Sequence, residues 1–232
     1  MPFADSDASG IGALADPVRR ELYQFVCTQP DAVSREQAAD AAGIAVHQAK
    51  FHLDRLEKEG LLQAEYARVG GRSGPGAGRT SKLYRRAARD IAISLPDREY
   101  ELAGRLMADA IAESAATGTP AVDALHRGAH AHGRALGAGA IDAGEPGTAR
   151  AALDMAVRVL GEHGYEPRRE GARVVMANCP FHALAQAHTE LVCHMNHALI
   201  SGLAETIPEH RPAADLEPAP GRCCVVLTEC RG

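Results

Sequence analysis

The stretch Ser34 to Leu62, SREQAADAAGIAVHQAKFHLDRLEKEGLL, constrains the fold more than any other part of the chain. Ser34 followed three residues later by Gln37 is a capping box, so a helix starts there. Gly43 supplies the turn. A second helix follows from Val46 to Lys58, and Gly60 closes it. Within it Val46, Ala49, Leu53 and Leu56 recur at helical spacing and form an inward stripe. His47, Gln48, Lys50, Phe51, His52 and Arg55 are left for the outer face. Two short helices joined by a tight turn, the second presenting polar and aromatic side chains, is the plan by which one helix enters the major groove of DNA.

The flanking segments extend this plan. Asp16-Pro17 reads as an N-cap followed by proline at the first helical position, and Val18, Leu22, Phe25 and Val26 line one side of a helix to Thr28. After the second helix, Leu61 to Val69 alternates as a strand, Gly70 to Thr80 is glycine-rich loop, and Ser81 to Arg86 is a return strand. Three helices followed by a hairpin is the winged-helix architecture, expected over residues 16–90, with residues 1–15 a fraying N-terminus. The whole-chain charge of −5 argues against a nucleic-acid partner, but its distribution does not. Residues 16–90 carry 13 Lys and Arg against 10 Asp and Glu, and Arg68 to Arg89 carries seven basic residues and no acidic one. Local basic density is what phosphates respond to. Gln, Lys and Arg on the helix reach base edges or phosphates, Phe51 suits a thymine methyl, and Arg68, Arg72, Arg79 and Lys82 are placed to follow the backbone or minor groove. The loop GGRSGPGAG lies between strands rather than opening a helix, so it is not a nucleotide-binding turn.

The segments HQAKFHLDRLEKEGLL and GRTSKLYRR resemble the winged-helix domain of ArsR-type bacterial regulators, in particular the SufR-like branch of iron–sulfur-responsive repressors. The resemblance covers residues 16–90 and implies a homodimeric repressor of a double-stranded DNA operator. It also implies cluster ligation by spaced cysteines in the C-terminal region.

Beyond residue 90 the chain reads as mainly helical with a few strands, α+β overall. Residues 91–145 are expected to form a helical linking and dimerisation region and 146–232 a C-terminal Cys/His sensor domain. Helical patterns span Asp97–Glu113, Val122–Leu136, Thr148–His163, Pro180–His188 and Glu190–Thr206. Gly137–Gly147 reads as a small-residue linker and Arg211–Pro220 as a proline-rich loop. A hairpin turns at Glu170-Gly171, and a final strand runs Cys223–Thr228.

Five of the six cysteines and five of the eleven histidines fall in the last 54 residues. Thiolate with imidazole suits zinc or an iron–sulfur cluster. The wide gap between Cys179 and Cys193 favours a cluster gathered from separate elements over a zinc ribbon. Asn178-Cys179-Pro180, Cys193 and the Cys223-Cys224 pair resemble the SufR-like ligands; the fourth ligand is open among His182, His197 and the second member of the pair. Cys179, before Pro180, is expected to cap the next helix, where a thiol ionises more easily. Adjacent strand residues face opposite ways, so Cys223 and Cys224 are not expected to share one site. A zinc site, a bare thiol switch, or an organic effector in an apolar pocket of residues 97–206 are the other sensing chemistries open. Cys27 and Cys230 read as a packed and a tail thiol. His126, His130 and His132 read as solvated helix residues. No third residue orients a Cys–His pair for catalysis, so an enzyme is not expected. Lacking an apolar leader pattern or an apolar run of 18 residues, the chain is expected in the cytoplasm, away from membranes.

Overall fold

The computed structural model describes residues 5–67, 80–141, 146–207 and 209–229. The chain divides into two compact units, Phe3–Ile93 and Ser94–Gly232.

In the first unit helix α1 (Asp5–Ala13) precedes α2 (Pro17–Thr28), a two-residue strand β1 (Val33–Ser34), α3 (Arg35–Ala42), α4 (Val46–Lys58), β2 (Leu62–Ala67) and β3 (Ser81–Arg86). Residues 5–13 of the segment expected to fray are therefore helical. Ala13 is buried, Ser9 donates to Glu59 Oε2 at 2.5 Å, and Arg89 pairs with Asp7. The caps act as the sequence predicts. Asp16 Oδ1 accepts from Arg19 N, Ser34 and Gln37 exchange capping-box bonds, and Gly43 adopts a left-handed φ of 62°. The antiparallel sheet runs β1-β3-β2 and closes over Leu22, Val26, Ala38, Ala49, Leu53, Leu56 and Tyr84. Val46 departs from the inward stripe. It opens the first turn of α4, beyond the reach of the core, and is 41% exposed.

The second unit contains α5 (Tyr100–Thr117), α6 (Ala121–Ile141), α7 (Ala149–Glu162), β4 (Pro167–Glu170), β5 (Arg173–Met176), α8 (His182–Ala187), α9 (Thr189–Glu205), β6 (Ala213–Leu216) and β7 (Val225–Thr228). The strands form an antiparallel sheet in the order β4-β5-β7-β6. The helices of the 91–145 region share one buried cluster with α7, α9 and the sheet (Leu106, Leu125, Leu153, Leu199, Val225). They thus belong to the body of this unit, where the sequence reading set them apart as a linker. Two local readings also change. Gly137 lies inside α6, where the end of α9 comes too close for a side chain: a Cβ would stand 1.9 Å from Thr206 Oγ1 and 2.8 Å from Leu203 O. The proline-rich segment holds the edge strand β6, whose prolines sit outside the four paired residues.

Candidate nucleic-acid interface and thiol centre

Helix α4 stands with Ala49, Leu53 and Leu56 fully buried and the opposite face in solvent. His47, Phe51 and Arg55 follow one another at i, i+4 spacing along that face, and Phe51 is 66% exposed. A single exposed ring is ordinary on a protein surface, and what distinguishes Phe51 is its place in a row with His47 and Arg55, beside Lys50, on the solvent face of this helix. Gln48 is exposed, but its Oε1 accepts from Ala45 N at 3.2 Å, so it also serves the helix start. His52 is half-buried, with Nδ1 enclosed and without a hydrogen-bond partner, and so turns partly away from the outer face. Arg55 pairs with Glu59 at 2.7 Å and keeps about half its side chain exposed.

Asp54 is the electrostatic centre of this face, and sequence reasoning passed over it. Its carboxylate accepts from Lys50 Nζ at 2.8 Å, Lys82 Nζ at 2.8 Å and the Tyr84 hydroxyl at 2.7 Å. Burial raises the Asp54 carboxyl, but these bonds outweigh it and hold the group well below the usual carboxylate range. Burial likewise acts to lower Lys82, while its bonds to Asp54 and Glu57 raise it above its ordinary value. Burial and the Asp54 bond both push Tyr84 up. The effect is to tie α4 to β3 and to tether two of the expected phosphate-binding cations. Tyr66, 70% exposed on β2 and paired in register with Lys82, is a further candidate contact that the sequence reading missed; an exposed aromatic beside the wing was its signal. Arg68, Arg72 and Arg79 lie outside the described residues.

Comparison with known families bears on this unit. A family model described as a helix-turn-helix domain matches residues 14–63, which run from just after α1 to the first residues of β2. This is a helix-turn-helix domain. No curated protein and no solved structure matches the chain.

In the second unit the structure brings four cysteines together as two neighbouring pairs. Cys193, on α9, is disulfide-bonded to Cys224, with Cα atoms 6.3 Å apart. Cys179, in the turn before α8, meets Cys223, whose thiol donates to it. That bond lowers Cys179 and, with burial, raises Cys223. Cys223 also accepts from Asn196 Nδ2 at 3.2 Å, and Asn196 Oδ1 accepts from the buried Tyr165 hydroxyl at 2.5 Å. Cys223 and Cys224 both reach α9, against the expectation of opposite faces. They precede β7 rather than lie in it, so the strand alternation does not bind them.

Cys179 does not cap α8. Phe181 holds that position, because Cys179 and Pro180 belong to a tight turn in which His182 N donates to Cys179 O at 3.0 Å. Arg98 Nη1 clamps the same turn through Asn178 Oδ1 at 2.5 Å and Cys179 O at 2.8 Å. His182 is exposed, and His197 Nε2 contacts Ala214 O at 2.9 Å. Neither histidine is gathered with the thiols: among the described residues no three His, Cys, Asp or Glu side chains are arranged to hold a metal ion. Four buried sulfurs supplied by three segments nonetheless match the soft donors that an iron–sulfur cluster or zinc takes. They do so once the Cys193–Cys224 bond is reduced. No helix among the described residues is long and apolar enough to cross a membrane.

Proposed function

We propose that this protein is a transcription repressor that binds a double-stranded operator as a homodimer. α4 is the reading helix, and two copies engage half-sites about 34 Å apart. The carrying observation is the solvent-facing row His47, Phe51 and Arg55 on α4, flanked by Lys50, within a helix-turn-helix domain. Phe51 supplies apolar contact, Arg55 and Gln48 reach base edges or phosphate, and Lys50 and Lys82 supply phosphate contacts. Footprinting of genomic fragments with the parent protein and a Phe51→Ala, Arg55→Ala variant tests this. A protected palindromic site lost in the variant is expected; equal, sequence-indifferent binding by both overturns the reading.

We further propose that Cys179, Cys193, Cys223 and Cys224, in reduced form, hold an iron–sulfur cluster whose presence sets operator affinity. A cluster bound there supplies one-electron redox chemistry. The chain's own contribution is positional. Arg98 and Asn178 fix the Cys179 turn, α9 fixes Cys193, and Asn196 steadies Cys223 by donating to its sulfur. Effector and DNA binding are then linked through the elements that the thiols join. Anaerobic purification with iron and sulfide analysis is the test; metal-free protein with unaltered operator affinity rejects it. A second reading has a specific observation behind it. The Cys193–Cys224 bond favours a thiol–disulfide switch in the same place. Operator affinity that responds to thiol oxidant in iron-free and zinc-free protein selects that reading, and stoichiometric zinc without visible absorption selects a zinc site.

A further inference from the structure

A second cluster of ligating side chains lies at the other contact of α9, where it crosses α6. The two helices touch backbone to backbone. A Cβ on Gly133 would stand 1.8 Å from Leu199 O, and one on Gly202 would stand 2.1 Å from His130 O. Gly137 meets Leu203 and Thr206, so positions advance together along both helices, which run in the same direction. Glycine contacts this close leave little freedom for one helix to slide on the other. Toward the N-terminal ends of the pair, this rigid seam presents one histidine from each helix to the other. His126 on α6 and His194 on α9 have ring centroids 6.1 Å apart and planes at 72°.

Three observations point to a ligand between these rings. His126 Nε2 is buried and has no hydrogen-bond partner, a condition that is unfavourable unless an ion or water satisfies it. Both rings line a cavity of about 410 Å³ that also takes in His188 and Glu190, with Val122 and Leu191 as apolar wall. The ring separation fits coordination. A cation ~2.0–2.1 Å from one nitrogen of each imidazole lies ~3.2 Å from each centroid. A tetrahedral angle at the metal then sets the centroids ~5.2 Å apart and a linear one ~6.4 Å. The observed 6.1 Å falls between them.

We propose that His126 and His194 bind a divalent first-row transition cation, with His188, Glu190 and water completing the shell. The pair is the preformed half of the site. His188, between α8 and α9, and Glu190, in the first turn of α9, line the cavity without yet converging on it. Imidazole and carboxylate without sulfur suit zinc, nickel, copper or cobalt, so the site differs in ligand chemistry from the thiol centre and does not depend on the reading of that centre.

The probe is Co(II), titrated into the full-length protein with Cys193–Cys224 oxidised. Binding of one equivalent per chain is expected, with weak ligand-field absorption and no thiolate-to-cobalt charge-transfer band. His194 is exposed, so His194→Gln keeps the fold, which circular dichroism verifies. His194→Gln and His126→Gln are each expected to weaken Co(II) binding at least tenfold, and Co(II) is expected to raise the unfolding temperature of the parent alone. Binding that shows only the thiolate band, no binding, or parental affinity in a folded His194→Gln or His126→Gln variant would overturn the assignment.

Discussion

Asp54→Asn separates the role of the α4 face in binding from its role in folding, because the two effects have opposite signs. The carboxylate holds Lys50, Lys82 and the Tyr84 hydroxyl at 2.7–2.8 Å. Asparagine keeps one acceptor for Tyr84, which is 1% exposed and needs it. The Tyr84 bond then falls from charge-assisted to neutral, a loss of about 1 kcal/mol. The Lys50 and Lys82 pairs are partly exposed and screened, and add about 0–1 kcal/mol. The domain should therefore be destabilised by roughly 1–2 kcal/mol in urea titration. DNA binding should strengthen. The two ammonium groups no longer share their charge with a carboxylate, and each additional phosphate contact steepens the slope of log K against log salt by about 0.9. One such contact is worth about eightfold in affinity at 0.1 M relative to 1 M salt. Operator binding measured by fluorescence anisotropy across a salt series reads both quantities. A less stable domain that binds more tightly, with a steeper slope, is a combination that mere unfolding cannot mimic. An unchanged slope in a folded variant refutes the placement of Lys50 and Lys82 on the DNA.

The same carboxylate predicts an acid limb. Its folded pKa lies below the ordinary 3.8, so its contribution to stability is complete above that value and is lost as pH falls further; Asp54→Asn should flatten the stability–pH curve below about pH 4 in acid titration followed by circular dichroism. Phe51→Ala, on an exposed ring, should leave folding stability within about 0.5 kcal/mol. It should weaken operator binding by up to about 1.5–3 kcal/mol, the value of burying that ring, without changing the salt slope; a changed slope would mean the loss is electrostatic. Gly202→Ala forces a Cβ to 2.1 Å from His130 O, and overpacking of this kind costs about 1–3 kcal/mol. Calorimetry should show the second unit melting earlier, and an unshifted transition would contradict backbone contact at the α6–α9 seam.

The helix-turn-helix was legible because its determinants are local. Pro17, the Ser34/Gln37 box, Gly43 and Gly60 each act within a few residues, and the stripe Ala49, Leu53 and Leu56 has a period that the sequence displays. Val46 misled because periodicity says nothing of where the core ends. Gly137 and the proline-rich stretch misled for the opposite reason. A glycine that admits a neighbouring helix looks the same in sequence as one that frees a linker, and an edge strand with two prolines just outside it looks like a loop. The thiols were legible as a group, from their density near the C-terminus. Their pairing was not, since it depends on Cys223 and Cys224 leaving strand geometry before β7. The roles of Asp54 and of the His126–His194 pair rest on contacts 28 and 68 residues apart, which no local pattern reports.

The disulfide and a metal bound to the same thiols are alternative ways of imposing one constraint, and this makes them comparable in energy. Cys193 and Cys224 are 31 residues apart, a loop whose closure in the unfolded chain corresponds to about 3.7 kcal/mol. Reduction should remove roughly that much stability from the second unit in urea titration, and Cys193→Ser, Cys224→Ser should match the reduced parent. Loss of the bond releases two thiols beside the Cys179–Cys223 pair. A metal that binds the reduced folded form restores stability by RT ln(1 + [L]/Kd), so recovering about 3.7 kcal/mol requires free metal about 500-fold above its Kd. Zinc added to the reduced parent should therefore raise the unfolding midpoint steadily with concentration, while the double serine variant regains much less. If both respond equally, the metal acts elsewhere on the chain, and the four sulfurs are not a ligand set.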